Sequence, residues 1–222
     1  WVPLEGSPES LDQYLRDLGV QTALRFGDVY GFDDDALSFV PRPVHAVLAL
    51  FPLTPKLEAA RQQRIADADA GRVLVPPVEE AQFIHQTIPN ACGTIAVLHA
   101  LLNNLPHVAF KGPLAPLFEQ LLEERDPAAR AALIEGSEAL AKAHHRTAHA
   151  GGTAAPDAAA DTDIHFTCFV LRDGQVWELD GRQPMQLCHG DASDLLKGAI
   201  HVVQQRMAED PDNINYTLLT LS

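Results

Sequence analysis

The sequence predicts a mixed α/β (α+β) fold, and three observations predict it. Residues between Ser7 and Gly19 carry an apolar stripe at helical spacing. Val44 to Phe51 is an unbroken apolar run between prolines. Two strand-like segments flank the tight-turn dipeptide Asp173-Gly174. The chain has 222 residues, of which 46% are hydrophobic, so it can bury a substantial core and reads as one domain over residues 1–222.

Each element has a local cause. In the first helix Ser7 can cap the free N–H groups, Pro8 suits the first turn and Gly19 can end it. Leu11, Tyr14, Leu15 and Leu18 then form its buried stripe. Val44–Phe51 is apolar at successive positions, as a strand covered on both faces must be. His45 within it reads as a core or edge histidine. A polar helix is expected from Pro55 to about Asp69, and extended structure near Phe83 and Ile84. Three further helices are expected: Cys92–Asn104, Leu114–Glu124, and Pro127 to about Ala143. From Ala141 to Asp163 there is no branched aliphatic and no aromatic residue. Such a stretch buries little apolar surface, so a lid is expected there.

Ile164–Leu171 and Val176–Leu179 are the two strands around Asp173-Gly174. A two-residue turn there places Cys168 opposite Leu179 and Thr167 opposite Asp180. Phe166, Cys168, Val170, Trp177 and Leu179 then share an apolar face, and Cys168 reads as a structural thiol. The other face carries His165, Thr167, Asp180 and Arg182. His165 lies diagonally from Asp180, within side-chain reach. A helix from Asp191 to about Met207 and a strand from Ile214 to Leu221 complete the expected order.

Composition removes several classes of function. No apolar run approaches the roughly 20 residues of a membrane helix, and the opening residues Trp1 to Glu5 lack the pattern of a signal peptide. Three widely spaced cysteines without a Cys-x-x-Cys argue against a disulfide framework or a structural zinc, and for a reducing compartment such as the cytoplasm or nucleus. A net charge of −14 disfavours nucleic acid and anionic lipid and favours a basic partner. His144, His145, His149 and His165 lack the spacing of a His-Glu-x-x-His metal site, so no metal and no cofactor is expected. His85, His99, His107, His189 and His201 suggest no partner from the sequence.

The chemistry concentrates at Cys92, placed where a good helix begins. Unpaired N–H groups at a helix N-terminus stabilise a thiolate and lower its pKa. Gln86, six residues upstream, can aim an amide at the same point. Cysteine, histidine, acid and amide are the parts of acyl transfer: nucleophile, proton carrier, orienting group and oxyanion donor.

The chain resembles the ubiquitin C-terminal hydrolases of the small, single-domain type. The matching segments are Pro3-Leu-Glu, Asp28-Val-Tyr-Gly, Pro41-Arg-Pro-Val, Gln86-Thr-Ile-Pro-Asn-Ala-Cys-Gly-Thr, Ile164-His-Phe, Trp177-Glu-Leu-Asp-Gly-Arg and His189-Gly. The resemblance implies a papain-like fold with a central antiparallel sheet flanked by helices, a knotted backbone and a crossover loop at about residues 144–163. It implies Cys92 as nucleophile, His165 as general base and acid, Asp180 as its orienting acid and Gln86 as oxyanion donor. The implied partner is ubiquitin carrying a small or unstructured adduct, or a ubiquitin-like modifier, taken up by a monomer. Three stretches align with regions that touch ubiquitin in the family: Pro3, Leu4, Glu5, Gly6, Ser7 and Pro8; Ala148, His149, Ala150, Gly151, Gly152 and Thr153; and Asn213, Ile214, Asn215, Tyr216, Thr217 and Leu218. A catalytically silent ubiquitin-binding module and a broad cysteine peptidase are the alternatives.

Overall fold

A computed structural model describes residues 1–71, 81–151 and 163–222. Helix α1 spans Pro8–Asp17; the Ser7 side chain accepts from the Ser10 N–H at its start, and Gly19, at φ +74°, turns the chain away beyond its end. The strands follow as β1 (Val20–Gln21), β2 (Phe26–Asp28), β3 (Ala46–Pro52), β4 (Ala109–Phe110), β5 (Ile164–Arg172), β6 (Gln175–Leu179), β7 (Leu187–Asp191) and β8 (Thr217–Leu221). Six of them form one sheet in the order β2-β8-β3-β5-β6-β7, every neighbouring pair antiparallel. Strands β1 and β4 form a separate two-stranded ladder.

Helices cover both faces of the sheet, and the side chains of β3 show why its sequence is apolar throughout. Ala46, Leu48 and Leu50 join one core cluster with α1 and with α4 (Cys92–Leu102). Val47 and Ala49, pointing the other way, join a second cluster with α2 (Asp34–Ser38) and α8 (Leu195–Glu209). Every residue of α4 is buried. The polar helix α3 covers Pro55–Asp69 as expected. Two more, α5 (Ala115–Glu123) and α6 (Pro127–Glu135), precede α7 (Glu138–Ala150).

The β5–β6 hairpin has the register that its turn residues imply. Cys168 faces Leu179 and Val170 faces Trp177, with Asp173 at φ 50° and Gly174 at φ 76° in the turn. Phe166, Cys168, Val170, Trp177 and Leu179 belong to a single core cluster.

Several expectations need correction. The loop expected at about 144–163 begins later, because His144–Ala150 is the C-terminal half of α7. Alanine favours helix without any need for bulk. Leu140, Ala143, His144, Thr147 and Ala148 make the buried stripe of α7, and Ser137 caps its start by accepting from the Leu140 N–H. The rest of that loop, residues 152–162, lies outside the described residues, as does the path on which the implied knot depends. The single helix expected from Pro127 to Ala143 is two, divided at Gly136-Ser137. The helix expected from Asp191 starts at Leu195 with Asp194 as its cap, because Leu187–Asp191 pairs with β6. Phe83 and Ile84 lie in an irregular segment, not a strand.

Beneath α8 the interior holds a charge pair. Glu178 is bonded by Arg206 of α8, by His189 Nε2 at 2.8 Å and by the Thr167 hydroxyl at 3.3 Å. Both Glu178 and Arg206 are buried. Burial opposes the charge on Glu178, but Arg206 and then His189 hold its carboxyl well below the usual carboxylate range. Removing one partner of such a pair leaves an uncompensated charge. Arg206→Met is therefore expected to cost about 3–5 kcal/mol. Adding Glu178→Leu should recover most of that loss, because a well-packed apolar pair needs no counter-charge. Urea unfolding of the two variants checks this, and a double variant no more stable than the single would contradict it.

Candidate active site

Cys92 is the first residue of α4, and nothing caps that helix with a side chain. Its opening N–H groups are therefore available to the thiol. The Cys92 side chain hydrogen-bonds His165 and receives the backbone N–H groups of Gly93 and Phe166. Gly93 follows Cys92 in the helix, and Phe166 follows His165 in β5. The helix start and the strand thus converge on one sulfur atom.

His165 Nε2 lies 2.6 Å from Asp180 Oδ1, which leaves Nδ1 for the thiol. Asp180 follows the end of β6, and its Oδ1 also accepts from the Arg182 N–H at 2.9 Å. The diagonal relation inferred from the hairpin register is the one observed. Phe51 of β3 meets the His165 ring edge to face at 5.5 Å. Cys92, His165 and Asp180 are 7%, 3% and 1% exposed, so the whole constellation works in a nearly dry interior.

Burial disfavours charge on all three groups, and their mutual contacts overcome it. The thiol pKa is raised by burial but falls below its ordinary value through His165 and the two backbone N–H groups. Burial likewise opposes the imidazolium, but Asp180 and then Cys92 push the His165 pKa up to about 9. The Asp180 carboxyl, also opposed by burial, is held below its usual range by His165 and the Arg182 N–H. The resting state these shifts favour is thiolate beside imidazolium. Cys168 makes the contrast: it is as deeply buried with no cation beside it, and burial alone pushes its thiol up.

Gln86 is held by its backbone. Its N–H donates to the Gly181 carbonyl at 2.8 Å, one residue beyond Asp180. A Cβ on Gly181 would lie 2.9 Å from Gln86 Cβ and 2.9 Å from Ile95 Cγ2, so glycine is needed for this close approach. The Gln86 amide donates to the Ile88 carbonyl at 3.2 Å, and an NH₂ group has a second hydrogen to offer.

The segment before Gln86 is fixed by side chains where the sequence suggested strand. Asn103 of the α4 C-cap accepts from the Gln82 N–H at 2.8 Å and donates to the Gln82 carbonyl at 3.0 Å. The Ile84 N–H donates to His99 Nε2 at 2.9 Å, and buried Arg130 donates to the Phe83 carbonyl at 2.9 Å. His99 Nδ1 lies 3.1 Å from the Leu179 carbonyl, so one neutral ring donates and accepts at once. Burial pushes its pKa down to about 4, which keeps it neutral. Sequence reasoning missed His99, Asn103 and Arg130. The usable signal was a buried polar pair at i and i+4 on an otherwise apolar helix. It also missed the partner of His189, which is Glu178.

The stretches expected to touch substrate divide by burial. Pro3, Glu5, Gly6, Ser7 and Pro8 are half-buried, whereas Leu4 packs into the core against Gly93. His149 and Ala150 are exposed, but Ala148 lies on the inner stripe of α7. Ile214, Asn215 and Thr217 are exposed, Asn213 and Tyr216 partly so, and Leu218 is buried in the second core cluster with Val47 and Ala49. Leu4, Ala148 and Leu218 are thus the buried members of these stretches. Gly152 and Thr153 lie outside the described residues.

Comparison with known proteins places this arrangement. The family model described as ubiquitin carboxyl-terminal hydrolase, family 1 matches residues 1–208. A probable ubiquitin carboxyl-terminal hydrolase of Dictyostelium discoideum is 37% identical over 228 residues, covering 100% of this chain and 87% of the relative. Ubiquitin carboxyl-terminal hydrolase isozyme L1 of Homo sapiens is 36% identical over 222 residues, covering 99% and 96%. The crystal structure of the Trichinella spiralis UCH37 catalytic domain bound to ubiquitin vinyl methyl ester superposes with a TM-score of 0.77. It covers 100% of this chain and 94% of that one, at 21% identity.

The linked pKa values set a pH dependence. The folded His165 pKa lies above the ordinary histidine value. The interaction of the imidazolium with Asp180 therefore contributes fully below that ordinary range and is lost as pH rises through about 9. The kcat/KM for thiol-dependent hydrolysis should fall along the same limb. Asp180→Asn should move that limb to lower pH as well as slow turnover. A pH–rate profile of the two proteins checks it, and an unmoved alkaline limb would count against the Asp180 linkage.

Proposed function

The chain belongs to ubiquitin carboxyl-terminal hydrolase family 1, and from that premise we propose that it is a thiol-dependent hydrolase that releases small or unstructured adducts from the C-terminal glycine of ubiquitin. The observation that carries the reading is one buried thiol bonded to an imidazole whose far nitrogen lies 2.6 Å from a carboxylate. The thiolate of Cys92 attacks the glycine carbonyl carbon. The oxyanion that forms is taken by the Gln86 amide and the Cys92 backbone N–H, each such donor being worth about 3 kcal/mol. His165 gives its proton to the leaving amine or alcohol as the C–N or C–O bond breaks, and a thioester remains on Cys92. The neutral ring then takes a proton from water, whose oxygen displaces the thiolate and leaves a ubiquitin carboxylate. Asp180 keeps the ring in the tautomer and orientation that both proton transfers require.

The remaining expectations extend this reading. We assign the enzyme a monomeric state, a reducing compartment in which Cys92 stays a thiol, and a tolerance for ubiquitin-like modifiers that share the reacting glycine. The electrophile carried by a ubiquitin derivative should label Cys92, because Cys168 lacks a cation and Cys188 lacks the helix start.

Cys92→Ser should lose nearly all hydrolysis of a ubiquitin C-terminal fluorogenic reporter while still binding ubiquitin. His165→Ala should lose about 10²–10⁴-fold in turnover, the usual contribution of general acid–base catalysis. Labelling at Cys168 or Cys188, or a Cys92→Ser protein with normal turnover, would overturn the assignment.

The net charge of −14 supports one more expectation. Association with a basic substrate tail should slow as salt rises, mainly through the on-rate. Stopped-flow binding at low and physiological salt measures it, and a flat on-rate would confine the charge to solubility.

A further inference from the structure

The charge of this chain is not evenly spread, and one face reverses its sign. Where α1 ends against α7, a groove of about 330 Å³ has a floor that includes the buried side chains of Leu18 and Leu114. Its rim carries Arg16, Lys111, Lys142 and Arg146, all exposed. A second hollow of about 230 Å³ shares Arg16 and adds Arg25. Five of the sixteen lysines and arginines of a chain with net charge −14 therefore line two depressions that share Arg16.

Among the described residues three carboxylates pair with these five cations. Asp17 lies 3.6 Å from Arg146, Glu138 lies 3.5 Å from Lys142, and Asp12 lies 4.0 Å from Arg25. Arg16 spends its guanidinium on the neutral Gln13, at 2.9 and 3.1 Å. The Lys142–Glu138 pair is exposed on both sides and contributes at most about 1 kcal/mol, so an incoming carboxylate can displace Glu138 at little cost, whereas Asp17, also bonded by the Thr147 hydroxyl, and Asp12, bonded by the Phe26 N–H, stay in place. Gly112, at φ +78°, stands at the rim with nothing within 4 Å of where a Cβ would be, so the groove is open there.

We propose that this groove docks a short acidic peptide segment of a partner protein, one that alternates carboxylates with leucine-sized side chains. Pro113 and Ala139, which line the groove between the basic side chains and keep accessible surface, accept the aliphatic side chains, and the cations around the two depressions take the carboxylates. A long polyanion such as nucleic acid fits worse, because it would run beyond the basic rim onto a surface of its own sign. The site uses no residue of the Cys92–His165–Asp180 constellation, so it acts as a tether or recruiting surface beside the hydrolytic site.

The test is fluorescence anisotropy on the whole protein with three labelled decapeptides: glutamate–leucine, serine–leucine and glutamate–serine alternations. The glutamate–leucine peptide should bind at least tenfold more tightly than either other, and more weakly as salt rises. Lys111→Glu with Lys142→Glu should reduce that affinity at least tenfold, and the double glutamine variant should reduce it less. Both variants should hydrolyse the ubiquitin reporter as the wild type does. Equal affinity for all three peptides, equal binding by the charge-reversed protein, or tighter binding of a ten-nucleotide single-stranded RNA would overturn the proposal.

Discussion

Everything around the thiol follows from having to keep opposite charges on Cys92 and His165 inside a nearly dry interior. Burial alone would leave a neutral thiol and a neutral ring, as it leaves Cys168 a thiol. Charge is favoured on both groups because each is answered locally: the sulfur by His165, Gly93 N–H and Phe166 N–H, the ring by Asp180, and Asp180 by the Arg182 N–H. Those partners come from a helix start, a strand and the residues just beyond another strand. The central packing of α4 on the β5–β6 hairpin is therefore also the electrostatic design of the site. A displacement of either element would return the groups to their neutral forms.

The same economy governs the second face of the hairpin. Glu178 sits two residues before Asp180 and is answered by Arg206 of α8 and by His189 of β7. Arg206 also lies over the Phe51 ring at 4.9 Å, and Phe51 in turn meets His165 edge on. Glu178 in β6 and Asp180 just beyond its end are thus two buried acids close enough to act on each other. On each, charge is tolerated because a cation and further hydrogen bonds accompany it.

Rigidity near the site comes from polar side chains as much as from the sheet. The Gln82–Gln86 segment has no strand partner, and His99, Asn103 and Arg130 supply the donors and acceptors that a neighbouring strand would have offered. A similar knot of groups ties the N-terminal residues to α4: Tyr14 OH to Thr94 Oγ1 at 2.8 Å, Thr94 Oγ1 to His144 Nδ1 at 2.8 Å, and His144 Nε2 to the Val2 carbonyl at 2.6 Å. These contacts satisfy buried backbone groups that irregular chain would otherwise leave unpaired.

The amino-acid sequence by itself determined the elements whose causes are local. Ser7-Pro8 and Gly19 set the limits of α1, the two-sided apolar run set β3, and Asp173-Gly174 set a hairpin register that carried His165 to Asp180. The helix start at Cys92 was equally legible, because a cap position and an apolar run are properties of neighbouring residues. Tertiary structure decided what depends on distant partners. Residues 141–150 looked too poor in bulk to fold, yet alanines and His144 form the inner stripe of α7, because α1 and the N-terminal residues supply the surface they pack on. His99, His189 and Arg206 had no visible purpose until residues 15, 11 and 28 positions away came within hydrogen-bond distance. The Phe166 N–H on the sulfur is a backbone group that no side-chain pattern reveals. Local propensity fixes where a helix or turn can stand; only packing decides which buried polar groups meet and so which charges survive.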